Sequence, residues 1–271
     1  MTEDLFAAAR RCLDAAAPDA KVSLTFTTAE AWEAGRLAPE SDLAPAPIAE
    51  PGRPPRPRLV APGAVPRRSA RSAEGRAALI HAITHIEFNA INLAWDAVYR
   101  FRAMPRAYYD DWVGVAAEEA NHFGLLRRRL AELGHEYGDF DAHDGLWEMA
   151  RNTSRDVLVR MALVPRVLEA RGLDVTPGMM ERLRQAGDPR TVSILELILR
   201  EEVGHVAVGS RWFRFACRQR GLDPEPTFLD LLQRYMKGRI KGPFHEAARS
   251  AAGFTDTELT ELKRQAGVDR E

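Results

Sequence analysis

Cysteine is nearly absent from this 271-residue chain: Cys12 and Cys217 stand alone and far apart. That excludes a disulfide framework and a thiolate metal site of close spacing, and it fits a reducing cytosol. Long hydrophobic runs are missing as well. No stretch approaches the ~20 apolar residues that span a bilayer. The N-terminus, MTEDLFAAARRCLDAAAPD, carries acids early and has no long apolar core, so it does not read as a signal peptide. Nor is there an excess of basic charge. With 38 Lys and Arg against 39 Asp and Glu, the formal net charge is -1, which withholds the global footprint of a nucleic-acid binder. A cytoplasmic protein without a membrane segment is expected. What is present is ordinary globular material, 45% hydrophobic and 28% charged, in a chain long enough to bury a large core.

Residues 4–17 read as a short amphipathic helix with Leu5, Ala8, Ala9, Cys12 and Leu13 on one side. A β-prone run, 22–27, leads to a helix near 28–36. Eight of the 17 prolines then fall between Pro45 and Pro66, a span that cannot be helical. With Leu59, Val60 and Val65 as apolar anchors, it reads as an extended arm lying on the domain surface. From about residue 72 the pattern is helical: 73–103, 105–134, 144–171 ending at Gly172, a short helix from Thr176-Pro177, then 189–221, 226–237 and 255–265. The expected fold is all-α: a ferritin-like four-helix bundle of two antiparallel helical hairpins, with an N-terminal extension and C-terminal helices. Its parts are the N-terminal helix and arm packing on the core (1–70), the bundle (71–221) and a helical extension (222–271).

The chemistry lies in where acids interrupt apolar stripes. Glu119 and His122 sit on the stripe of Trp112, Val115, Leu126 and Leu133; Glu202 and His205 sit on that of Leu195, Ile198, Gly209, Trp212 and Ala216. Glu87 lies among Ile80, Ile83, Ile91, Ala94 and Val98, and Glu169 follows Leu158, Ala162 and Pro165. A buried carboxylate is costly unless neutralised. Four carboxylates and two imidazoles facing inward together suit a pair of divalent metal ions with mixed N/O coordination. One Glu from each of two helices plus Glu-x-x-His from each of two others is the ligand set of dinuclear ferritin-like bundles. Glu87 precedes Glu119 by 32 residues and Glu169 precedes Glu202 by 33, so two hairpins of matched reach would converge. Buried salt bridges with nearby arginines are the competing reading. Glu132 and His135 form a third Glu-x-x-His match and a useful control, because Gly134 ends the helix between them and they read as surface. His81, His85, Glu118 and Glu201 are candidates to orient the ligand carboxylates; as half-buried or solvated structural groups they need no such role.

The strings GRAALIHAITHIEFNAINLAWDAVYRF, EEANHFGLLRRRL, RMALVPRVLEARGLDVTP and LREEVGHVAVGSRWF resemble the bacterial ferritin-like family catalogued as domain of unknown function number 455. So do PGRPPRPRLVAPGAVPRR upstream and KGPFHEAARSAAGF downstream. The resemblance implies a ferritin-like di-iron fold with Glu87, Glu119, His122, Glu169, Glu202 and His205 as metal ligands. More distantly, ligand order is similar to the di-iron tRNA-modifying hydroxylases. His245 stands where a smaller polar residue such as Asn is expected.

The function expected from these residues is a dinuclear, di-iron carboxylate protein that activates O2 as an oxidase or monooxygenase on an organic substrate, a modified tRNA nucleoside being one option. The alternative is a ferroxidase or iron-handling protein with no organic substrate. Two iron ions (Fe2+/Fe3+) are the expected cofactor, with manganese or a mixed Mn/Fe pair able to use the same ligands. Expected partners are a small-molecule substrate, O2, an electron donor, tRNA as a candidate and a second copy of the chain as another.

Overall fold

Pro18 starts the second helix at a position where its missing N–H costs nothing. The computed structural model describes residues 3–40, 44–66, 68–236 and 238–267. Thus Lys237, the expected end of the 226–237 helix, and Arg67 in the arm lie outside the described residues. The chain divides into two compact units, Met1–Arg151 and Asn152–Glu271.

In the first unit α1 (Leu5–Asp14) buries the expected face and α2 (Pro18–Glu33) follows. The run 22–27, expected to be β-prone, lies inside α2. There Thr25, Thr28, Ala29 and Trp32 recur at helical spacing on a buried face. Trp95 Nε1 donates to Thr25 Oγ1 at 2.9 Å and Trp32 Nε1 to Asp110 Oδ1 at 2.9 Å, so tertiary packing overrides local strand propensity. Lys21 is fully buried, its Nζ donating to Cys12 O at 2.7 Å and Leu13 O at 3.1 Å, the carbonyls that α1 leaves open at its end.

A long hairpin follows, α3 (Ala73–Arg100) and α4 (Arg106–Glu132). Ser72 caps α3 by accepting from Gly75 N at 3.0 Å. Tyr108 and Tyr109 close the turn, their hydroxyls donating to Ala97 O and Phe101 O at 3.2 Å each. The proline-rich arm is extended, as expected, but its anchors are different: Ile48, Pro51 and Pro57 are buried, whereas Leu59 is exposed and Val60 and Val65 are half-buried. The reason is polar pinning. Trp147 Nε1 of α5 (Gly145–Asn152) donates to Ala49 O, and Arg53 and Arg58 pair with Asp144 and Asp141, which turns Leu59 outward beside its backbone bridge to Ala142.

The second unit departs from expectation in its first helix. The segment 144–171 is broken at 153–156, where Asp156 accepts from Leu158 N at 2.8 Å to cap α6 (Val157–Leu163). A π-helical turn, Val164–Glu169, then runs without interruption into α7 (Ala170–Gln185), past both Gly172 and Pro177. A proline inside a helix costs about 3 kcal/mol; here Leu173, Thr176, Met180 and Leu183 bury the face that offsets it. Antiparallel to this composite helix is α8 (Pro189–Gln219). Gly209 is required at their contact, because a Cβ there would lie 2.3 Å from Pro165 Cγ. Helices α9 (Pro224–Tyr235), α10 (Glu246–Ala251) and α11 (Asp256–Ala266) finish the unit. Thr255 caps α11 in a capping box with Glu258.

Among the described residues strand pairing is confined to β1 (Glu3–Asp4) with β2 (Leu37–Ala38), so the fold is an all-α helical bundle. No described helix is long and apolar enough to cross a membrane.

Candidate metal centre

Residues three apart on a helix share a face, and α4 uses this to present Glu119 and His122 to α3. In the antiparallel hairpin the rings of Phe88 and Phe123 lie 5.4 Å apart, which puts the preceding residues, Glu87 and His122, at one level. His122 Nδ1 is 3.4 Å from a carboxylate oxygen of Glu87 and 3.4 Å from one of Glu119. All three side chains are buried, with His122 fully so. One ligand-capable atom from each lies within 4.8 Å of the others. Burial alone would push the His122 imidazole down; the two carboxylates outweigh it and lift it to about 11. Two anions around one imidazole, shielded from water, form a donor set that a divalent cation fits in charge and ligand type.

The second unit carries the other buried Glu-x-x-His pair. His205 Nδ1 lies 3.3 Å from Glu202 Oε1 on α8, and the His205 side chain is 2% exposed against 12% for Glu202. Pro165 packs on Gly209, and Arg166 Nε donates to Ser210 Oγ at 3.2 Å. One turn on from Pro165 is Glu169; one turn back from Gly209 is His205, so those two also share a level. Glu169 closes the π-helical turn, a departure from regular helix that occurs frequently at functional sites. The control behaves as expected: Glu132 ends α4, exposed and paired with Arg129 at 2.9 Å, while His135 faces Asp139 at 3.5 Å.

The family model described as "Protein of unknown function (DUF455)" matches residues 14–260. The chain belongs to this family. An "Uncharacterized protein" of Haemophilus influenzae is similar to this DUF455 chain, 50% identical over 213 residues, which is 76% of this chain and 74% of the relative. No solved structure matches it.

Of the four residues considered as orienting groups in this DUF455 chain, His81 and His85 are buried in a network of their own. His81 Nε2 accepts from Gly138 N at 2.9 Å, and His85 Nδ1 lies 2.9 Å from the Tyr137 hydroxyl. Asn89 Nδ2 lies 3.0 Å from His85 Nε2, leading the network toward the Glu87 turn of α3. Glu118 is exposed and Glu201 half-buried. Tyr137 had no signal in the sequence. It follows the helix-ending Gly134, yet its ring packs on Phe88, Phe123, His81 and His85 at 5.3–6.1 Å between centroids. Burial raises its hydroxyl above the ordinary range, keeping it a neutral donor or acceptor.

Burial lowers the His81 imidazole to about 4 from 6.5, Asp139 pulling weakly the other way. Its folded pKa lies below the unfolded one, so between these values the unfolded chain binds a proton that the folded chain declines. Stability therefore falls as pH drops from about 6.5 to about 4, with a ceiling of about 3 kcal/mol from this group. Denaturant titrations from pH 7 to pH 4 should show that loss, and His81→Gln should reduce the proton uptake on unfolding by about one. An unchanged slope in the variant would mean the imidazole is not the group responsible.

Proposed function

We propose that the two Glu-plus-Glu-x-x-His sets, Glu87/Glu119/His122 and Glu169/Glu202/His205, are the ligands of a ferritin-like four-helix bundle and hold two metal ions, iron being the pair proposed. The observation that carries this reading is the repetition of the Glu-x-x-His pair, with His122 3.4 Å from Glu119 and His205 3.3 Å from Glu202, to which the first hairpin adds Glu87 at 3.4 Å from His122. Such paired sets are how bundles ligate dinuclear iron or manganese, and the donors present would equally accept manganese or a mixed pair.

The activity proposed is O2-dependent oxidation of a small organic substrate by an oxidase or monooxygenase located in the cytoplasm. A bound pair of ferrous ions would supply the electrons and the open coordination positions that O2 chemistry needs. The chain's contribution is to hold and to shield. The six side chains offset the charge of two dications, and the i, i+3 spacing fixes each imidazole against its own carboxylate. On the first hairpin Val115, Ala116, Ile91, Phe88 and Phe123 are all buried around the three ligands and exclude water there.

Metal analysis of protein expressed with ample iron and manganese tests the site: two equivalents per chain are expected, and fewer than one overturns it. Ferrous protein exposed to O2 with cell extract, and separately with tRNA, tests the reaction. A substrate gaining the mass of one oxygen is expected. Iron oxidised with no oxygenated product in either arm would establish the ferroxidase alternative instead.

A further inference from the structure

Met236, residues 239–241 and Phe244, together with the segment 166–174, line a partly open cavity of about 190 Å³ within the second unit. Its lining concentrates charge that the whole chain does not have. Arg166, Arg171, Arg239, Lys241 and Arg249 face it with Asp174 as the opposing carboxylate, in a chain whose formal net charge is -1.

Two of these cations are buried with donors to spare. Arg166 and Arg249 are 1% and 3% exposed. Arg166 donates from Nη2 to Glu258 Oε2 at 2.6 Å and from Nε to Ser210, and Arg249 donates from Nε and Nη2 to Asp174 at 2.9 and 2.7 Å. The Nη1 group of each is buried and has no hydrogen-bond partner among the described residues. Aromatic rings cover the guanidinium faces: Arg166 Cζ lies 4.0 Å from the Phe228 centroid, and Arg249 Cζ 4.9 Å from that of Phe254. Stacking of this kind leaves only in-plane N–H groups to meet an acceptor.

The rim is held in place. Arg171 donates to Lys241 O at 2.8 Å, Gly242 O at 3.0 Å and Pro243 O at 3.0 Å, which fixes the loop bearing Lys241. Arg239 and Lys241 are exposed at the mouth and make no ion pair among the described residues. Buried donors without acceptors are rare in folded proteins and call for a ligand or an ion.

We infer that this cavity binds a phosphate group, either inorganic phosphate or the phosphate of a small phosphorylated molecule. Five cations against one lining carboxylate suit a multiply charged anion better than a carboxylate, and Arg forks match phosphate oxygens in geometry. The volume is below the roughly 300–1,000 Å³ of sites that enclose a whole drug-sized ligand. An organic moiety would therefore project past Arg239 and Lys241. The assignment stands independently of the metal ligands, none of which lines the cavity.

Calorimetric titration of the full-length protein with inorganic phosphate tests it, with acetate at equal ionic strength as the control. Saturable one-to-one phosphate binding is expected, with none for acetate. The double variant Arg239→Ala/Lys241→Ala, altered only at exposed side chains, should bind phosphate at least about tenfold more weakly while melting like the parent in phosphate-free buffer. Arg249→Lys, which keeps the charge beside Asp174 but withdraws the buried Nη1 donor, should weaken it similarly. A nucleoside monophosphate binding tighter than phosphate identifies an organic phosphate as the ligand; equal affinity identifies phosphate itself. No saturable phosphate binding, or binding undiminished in the double variant as it would be for phosphate held on bound metal, overturns the assignment.

Discussion

Glu119→Ala should leave the purified protein without metal. Glu119 is 1% exposed, and its carboxylate and that of Glu87 each stand 3.4 Å from His122 Nδ1. Alanine removes one carboxylate donor from a buried ligand set and leaves a void of the same shape beside His122. Outer hydrogen-bond partners of metal ligands already cost about 10–100-fold in affinity when lost, so a direct ligand should cost more. Elemental analysis after expression in excess iron and manganese is the measurement. Glu118→Ala is the control, since the adjacent carboxylate is exposed and points away from the stripe. Full metal content in Glu119→Ala would show that the buried carboxylates serve another purpose.

The largest loss of stability should come from a different buried charge. Glu258 is 3% exposed and its Oε2 accepts from Arg166 Nη2 at 2.6 Å and from Thr255 N at 3.0 Å. Burial lowers the Arg166 guanidinium from its ordinary value, with Glu258 acting against that shift. Truncation to Ala leaves a guanidinium buried among Phe213, Phe228 and Phe254 with its counter-charge gone. Removing one partner of a buried pair costs about 3–5 kcal/mol, and the capping box of α11 goes with it. Urea denaturation of Glu258→Ala should show a loss of that size, and Glu258→Gln, which keeps an acceptor for Thr255 N, a smaller one. A loss below about 1 kcal/mol, the scale of an exposed pair, would mean that the ion pair is not shielded as described.

Legibility in the sequence followed regularity. The helices α3, α4 and α8 keep their three-and-four spacing for about 30 residues each, so their buried stripes, and the Glu-x-x-His pairs interrupting them, could be read directly. The composite helix of the second unit could not. Gly172 and Pro177 carry the local signature of a helix end, and only packing against α8 overrides it. The anchors of the proline-rich arm are hidden for a similar reason: the ion pairs of Arg53 with Asp144 and Arg58 with Asp141, 91 and 83 positions away, decide which side turns inward. Tyr137 and the basic cavity carry no local pattern at all. Arg166 and Arg249 meet because α10 returns to the α7 region, a contact between residues far apart in the chain.

The π-helical turn at Val164–Glu169 has one more consequence, for how this chain is laid beside others. A turn closed by i to i+5 bonds accommodates one residue more than a regular turn, and each residue advances a helix by about 100°. Alignment of this helix with an uninterrupted one of the same length cannot be gap-free. Without a one-residue offset at 164–169, either the stripe of Leu158 and Ala162 or that of Leu173 and Leu183 falls out of phase, and a search for the acid equivalent to Glu169 returns its neighbour.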